Sequence, residues 1–344
     1  MVNTVTREGR DMKIIMELED VVVVSFSGGK TSGFMCAMLI KKYPNVKFVF
    51  LFANTGQECE ETLEFVKECD EHFDLNVVWL EAVINPIKGK GVTHKVVNFE
   101  TASRNGEPFE AHIAKSGIPN ETYPQCSDRL KKLVMEDYKK FNGLSGKTHC
   151  IGMRADEPNR ALSIDKRKRL LSLGLSGKEV YEFASLNDRY KQTFAVLNNL
   201  PENIVKDNFL SGYNLWYPLF AWGYDKQDVN DFWECMPFTL ELEEHQGNCK
   251  TCWKKSDKKL WLLAVEEPEK FEFMKRMEKE YQHVNPNDNG VDRVFFRKHR
   301  SAEQIMAEAD NMDSKRLRAM IYGAEQMTMF NDFNSGCSES CEAY

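Results

Sequence analysis

The sequence predicts an α/β fold: a parallel, twisted sheet with helices on both faces, followed by a mostly helical, cysteine-containing C-terminal region. Three observations predict it. Residues 21–24 (Val-Val-Val-Val) and 46–53 are short apolar runs rich in β-branched and aromatic side chains, the pattern of strands covered on both faces. Each is followed by a stretch with apolar residues at helical spacing. Strand and helix patterns alternate along the first half of the chain, as βαβ units require.

In chain order, residues 1–20 are a polar lead-in and 21–24 the first buried strand, ended by Ser-Gly-Gly. Residues 33–43 read as a helix with Phe34, Met35, Met38 and Leu39 on its apolar stripe. A second strand (46–53), a second helix (62–73) and a third strand (77–80) follow. Residues 85–122 are polar and irregular and read as a long functional loop or a partly helical insertion. Residues 126–141 read as a helix with Leu130, Leu133, Val134 and Tyr138 inward, and 148–153 as a further strand. Residues 159–211 read as helical and charged, 217–220 as a short apolar segment, and 225–234 as a helix. From Leu240 the chain is helical and carries cysteines, and the tail after Asn331 is polar and extended.

Composition narrows the function classes. The 344 residues are 42% apolar and 29% charged, which excludes collagen, coiled-coil, low-complexity and wholly disordered chains. No apolar run approaches the ~18 residues of a membrane span, and acids interrupt every apolar stretch before Val21. A soluble, cytosolic protein is expected, with no membrane partner. The net charge of −7 argues against a general basic coat for duplex nucleic acid. The basic runs at 166–169, 254–259 and 297–300 read as solvated faces.

The sharpest local signal is Ser27-Gly28-Gly29-Lys30-Thr31-Ser32 between the first strand and the first helix. Glycines let an anion approach bare backbone N–H groups at a helix start, and a lysine and hydroxyls add donors. Lys30 is a candidate catalytic residue, stabilising charge as it develops on a phosphate. A Walker A motif is excluded, because the required first glycine falls on Val24, inside the strand.

The loop resembles the Ser-Gly-Gly-x-Asp-Ser signature of the PP-loop ATP pyrophosphatase superfamily, with Thr31 where many members carry Asp. Further stretches resemble its phosphoadenosine phosphosulfate (PAPS) reductase-like branch. They are Phe52-Ala53-Asn54-Thr55-Gly56-Gln57-Glu58, Cys126-Ser-Asp-Arg-Leu-Lys131, Ile151-Gly152-Met-Arg154-Ala-Asp-Glu157, Tyr217-Pro-Leu-Phe-Ala-Trp222 and Gly247-Asn-Cys-Lys-Thr-Cys252. The resemblance implies a PP-loop, HUP-like sheet whose first loop holds the phosphates of ATP or of a sulfonucleotide (PAPS or APS). It also implies that Ala53, Asn54, Thr55 and Gly56 line the adenosine pocket and that Gly152 and Arg154 flank the phosphates or sulfate. Arg154 reads equally well as a salt-bridge partner of Asp156 or Glu157, carboxylates that are also candidates for magnesium. The expected division is a lead-in (1–20), a PP-loop nucleotide-binding domain (21–235), a helical metal-binding region (236–330) and a flexible cysteine-containing tail (331–344).

Ten cysteines in a cytosolic chain point away from a disulfide framework. Cys36, Cys59, Cys69, Cys150 and Cys235 read as small buried hydrophobes. Cys249 and Cys252 have chelate spacing on a glycine turn, and Cys126 opens a helix, where the dipole favours thiolate. With Cys341 these make four ligands, for which the family resemblance favours a [4Fe–4S] cluster over zinc; His245 is a rival zinc ligand. Cys337 and Cys341 are also candidate nucleophiles, although neither is followed by the Gly-x-His of PAPS reductases. The expected function is sulfur transfer or sulfonucleotide reduction with a cluster or reactive thiols. The sulfur acceptor would be a nucleic acid or a protein, and a thiol reductant a further partner. The alternative is a nucleotide-binding or nucleic-acid-modifying protein with only a structural zinc.

Overall fold

The computed structural model of the chain describes residues 5–8, 11–14, 16–201, 204, 210, 212–286 and 290–323. The lead-in contains an antiparallel pair, β1 (Val5–Glu8) and β2 (Asp11–Ile14). The main sheet comprises β3 (Val21–Ser25), β4 (Lys47–Asn54), β5 (Val78–Ile84), β6 (Val92–Val97), β7 (His149–Cys150) and β8 (Leu215–Trp216). Its strand order is β6-β5-β4-β3-β7-β8, and every pairing is parallel except β5 with β6.

Strand alternation sorts the core into two layers. Val22, Val24, Phe50 and Phe52 face one side. There they meet α1 (Lys30–Lys42), α2 (Glu60–Phe73) and Trp233 of a later helix. Val23, Leu51 and Ala53 face the other side, against α3 (Glu107–Ser116) and α4 (Leu133–Phe141). The same layer receives helices from the C-terminal region through Leu260, Met277 and Ile305. The sheet and the C-terminal helices therefore share one core.

Residues 85–122 contain more regular structure than expected: β6 and α3 are built from them. β6 escapes a pattern reading because it is an edge strand, with only half its residues even partly covered. The strand expected at 148–153 shortens to His149–Cys150, since the Met153 N–H turns back to the Ile151 carbonyl at 2.9 Å. The expected helix 126–141 is interrupted by a π-helical turn, Asp128–Lys132, a feature often found at functional sites. Of the cysteines expected in the core, Cys36, Cys59, Cys69 and Cys150 are buried, whereas Cys235 is exposed just past a helix end. No helix among the described residues is long and apolar enough to cross a membrane.

One buried carboxyl makes stability depend on pH. Glu278, in the C-terminal region, accepts from the N–H groups of Phe295 (3.0 Å) and Ala302 (2.8 Å). Burial outweighs these bonds and raises its pKa from 4.5 to about 7. The folded state thus holds a proton that the unfolded chain releases. The associated stability is complete below pH 4.5 and is lost as pH rises through 7, in total about 3 kcal/mol at ~1.4 kcal/mol per unit. Urea midpoints measured from pH 5 to 8 are expected to fall in the wild type, and Glu278→Gln is expected to remove that slope.

Candidate nucleotide-binding site

β3 lies at the centre of the sheet, and the chain leaves it in one direction through β4 and β5 before returning to β7 on its other side. At such a switch point the loops beyond adjacent strands diverge and leave a crevice at their carboxyl ends. The loop after β3 and the segment after β7 flank this crevice.

Ser27–Ser32 folds back on the first turn of α1. The Phe26 N–H continues the ladder to the Leu51 carbonyl (2.9 Å), and the Ser27 N–H then donates to Ser32 Oγ (3.2 Å). The Ser27 and Ser32 hydroxyls lie 2.9 Å apart, and Ser32 Oγ also donates to the Gly29 carbonyl at 2.9 Å. Gly28 has φ +80°, and a Cβ there would lie 2.6 Å from the Thr62 methyl. Gly29 caps α1 in an extended conformation; α1 has neither a side-chain cap nor an acid in its first turn. Its first N–H groups have no intrahelical acceptor, and the helix dipole favours an anion there. Lys30 is partly exposed at this start, and its carbonyl accepts from Trp233 Nε1 at 2.8 Å.

Arg154 reaches this loop from 123 positions away: its Nη1 donates to Thr31 Oγ1 at 3.1 Å. The same guanidinium holds Asp156 through Nε (2.9 Å) and Nη2 (3.2 Å), and its Nη1 lies 3.8 Å from Glu157. Glu157 also pairs with Arg160. Arg154 thus joins both expected roles, salt-bridge partner and loop neighbour, and Asp156 and Glu157 are engaged by arginines. Gly152 is buried in the tight turn that precedes Arg154.

At the end of β4, Ala53, Asn54, Thr55 and Gly56 are all buried. The Asn54 side chain is used by the scaffold: it donates to Glu81 Oε1 (2.7 Å) and the Ser103 carbonyl (2.9 Å) and accepts from the Gly56 N–H (3.0 Å). Thr55 gives its N–H and hydroxyl to Glu58, each at 2.8 Å to Oε2. Sequence reasoning missed Glu58 and Glu81. Both side chains are fully buried, and Lys131 lies 3.3 Å from the first while Lys95 lies 2.8 Å from the second. A glutamate inside the apolar run Val78-Trp-Leu-Glu-Ala-Val-Ile84 was the available signal for Glu81, since a buried charge demands partners.

The structure brings the Cys249 turn onto this same loop. The Cys59 N–H donates to the Asn248 carbonyl and the Lys250 N–H to the Gln57 carbonyl, each at 3.0 Å, as Glu58 and Cys249 pair in an antiparallel bridge. Asn248 Nδ2 donates to the Ser27 carbonyl at 3.0 Å. Burial, and then the Glu58 charge, push the Cys249 thiol up to about 12. Cys126 and Cys252 are half-buried. Among the described residues no group of three or more His, Cys, Asp or Glu side chains is placed to hold a metal ion. The expected gathering of Cys126, Cys249 and Cys252 is therefore not met there. Cys337 and Cys341 lie outside the described residues. His245, the rival zinc ligand, instead hydrogen-bonds the Tyr322 hydroxyl at 2.7 Å.

Comparison with known proteins agrees with this geometry. An uncharacterized nin region protein of Escherichia phage lambda is 27% identical over 333 residues, 94% of each chain. An uncharacterized protein of Methanocaldococcus jannaschii is 22% identical over 247 residues, covering 64% of this chain and 53% of that one. Residues 21–90, from β3 through β5, match the phosphoadenosine phosphosulfate reductase domain. The resemblance carried by the loop after β3 and by the segment at the end of β4 is borne out as a match to that domain over residues 21–90.

Proposed function

We propose that the chain is an enzyme that binds an adenine nucleotide, ATP or a sulfonucleotide, at the loop 27–32 and uses it to move sulfur. The observation that carries the reading is the meeting of Arg154 with Thr31 at the uncapped start of α1. It sets a guanidinium held by Asp156 beside the first N–H groups of α1 at the sheet's switch point. An Arg fork suits phosphate or sulfate oxygens, and its pairing with Asp156 holds it in place before ligand arrives. Ser27, Gly28, Gly29, Lys30, Thr31 and Ser32 would bind the phosphates, with Ala53, Asn54, Thr55, Gly56 and Gly152 shaping the adjoining pocket.

Two reactions fit this site. In one, an acceptor oxygen attacks the α-phosphorus of ATP, pyrophosphate leaves, and a sulfur donor then displaces AMP. In the other, a thiolate of Cys337 or Cys341 attacks the sulfur of a sulfonucleotide and expels the adenosine phosphate. A second thiol then releases sulfite, and an external thiol reductant restores the resulting disulfide. In both, Lys30 and the α1 N–H groups stabilise charge on the departing phosphate. A nucleic acid or a protein would be the acceptor in the first. Neither reaction is routed through a metal.

Calorimetric titration of ATP against PAPS tests the reading. One of them is expected to bind with micromolar affinity, and Arg154→Ala to weaken it by ten- to a hundredfold, the loss of a charge-assisted contact. Binding unaffected by that substitution would place the ligand elsewhere.

A further inference from the structure

We infer that Asn248 is a positioning residue of the phosphate loop, and that through it the turn 247–252 and nucleotide occupancy are coupled. The inference rests on the reading of 27–32 as the phosphate site. Asn248 is 6% exposed, and its carboxamide reaches 221 positions back to donate to the Ser27 carbonyl at 3.0 Å. A Cβ placed on Gly29 would lie 3.2 Å from Asn248 Nδ2 and 3.6 Å from Oδ1. The amide therefore packs on Gly29 where a side chain would otherwise project.

The peptide joining Ser27 to Gly28 is planar, so holding its carbonyl also sets the direction of the Gly28 N–H. Gly28, at φ +80°, is the residue with most freedom to turn that plane. An external donor on the carbonyl removes the freedom before an anion binds, which lowers the ordering cost of binding.

The other end of the lever is equally defined. The Asn248 carbonyl and the Lys250 N–H are clasped to Cys59 and Gln57, each at 3.0 Å, around the Glu58–Cys249 bridge. Asn248 thus belongs at once to the phosphate loop and to the cysteine turn. Coupling of this kind is reciprocal: a ligand that orders the loop also orders the turn, and a turn pulled from Gln57 and Cys59 releases the Ser27 carbonyl.

Hydrogen exchange by mass spectrometry, with and without saturating ATP, tests the coupling alongside calorimetry. In the wild type, ATP is expected to slow exchange both at 27–33 and at 247–252. Asn248→Ala is expected to weaken ATP about tenfold, the scale of one lost hydrogen bond, and to abolish the ATP-dependent slowing at 247–252 while that at 27–33 persists at saturation. Asn248→Asp, which replaces the donor by an anion near the phosphates, is expected to weaken ATP further. Slowing at 27–33 alone in the wild type, or unchanged affinity and exchange in Asn248→Ala, would overturn the inference and leave the nucleotide reading intact. If the alanine chain does not fold, the wild-type exchange pattern alone decides. No ATP binding by the wild type, with PAPS equally silent, would remove the nucleotide reading and this inference with it.

Discussion

Gly28→Ala is expected to destabilise the chain by roughly 2–5 kcal/mol and to abolish measurable nucleotide binding. Two costs add. A φ of +80° is one that an L side chain adopts at ~1–2 kcal/mol. The new methyl would also stand 2.6 Å from the Thr62 methyl and 3.2 Å from Phe52 and Val66. Those neighbours are buried between the sheet and α2, where overpacking costs typically 1–3 kcal/mol. Relief would come from moving the loop, which carries the Ser27–Ser32 bonds and the start of α1. Gly29→Ala should be milder. Gly29 has an ordinary extended backbone, φ −102°, and the atoms nearest its Cβ, from 3.2 Å, belong to the Asn248 side chain. Urea denaturation gives the stability and calorimetry the affinity; a Gly28→Ala chain with wild-type values for both would show that the loop does not need this conformation.

His149→Ala is expected to cost about 3–5 kcal/mol through an unrelated part of the scaffold. His149 is wholly buried, and burial, then the Lys139 charge, drive its pKa well below the usual imidazole value, so the ring is neutral. Lys139 Nζ, itself 1% exposed, approaches Nδ1 at 3.3 Å and pairs with Glu136 at 2.7 Å. A lysine only donates, so Nδ1 accepts, and Nε2–H donates to Ser25 Oγ at 2.8 Å. Ser25 Oγ in turn donates to Met135 Sδ at 3.3 Å. This chain ties β3 and β7 to α4 just below the loop 27–32 and Arg154. Removing the ring leaves a cavity, a buried ammonium without that acceptor and a buried hydroxyl without that donor. The urea midpoint should fall accordingly, and a change below ~1 kcal/mol would mean that the network is dispensable.

The chain alone revealed the parts whose chemistry is local. Val21–Ser25 announced itself by β-branched composition, and the loop after it by glycines, a lysine and hydroxyls within six residues. The helix-sheet alternation up to β5 was legible for the same reason, as was the turn at Gly247. Less legible were β6, a half-exposed edge strand, and β7, which ends where the Met153 N–H turns back to the Ile151 carbonyl. The pairing of Arg154 with Asp156 and Glu157 was legible, because they lie two and three positions apart; the lysine partner of Glu81 had no signal beyond a charge in an apolar run, and that of Glu58 none.

Pairings across the sheet belong to another class. Periodicity proposes a strand or a helix but carries no information about which strand lies beside which. Motifs could therefore name Ser27, Thr31 and Arg154 without showing that Arg154 meets Thr31 or that Asn248 holds the Ser27 carbonyl. Their convergence follows from the order β4-β3-β7 and from the Glu58–Cys249 bridge. The same long-range packing sets Cys249 beside the Glu58 carboxylate and raises its thiol pKa, because the energy of a charge depends on what surrounds it and not on its neighbours in the chain.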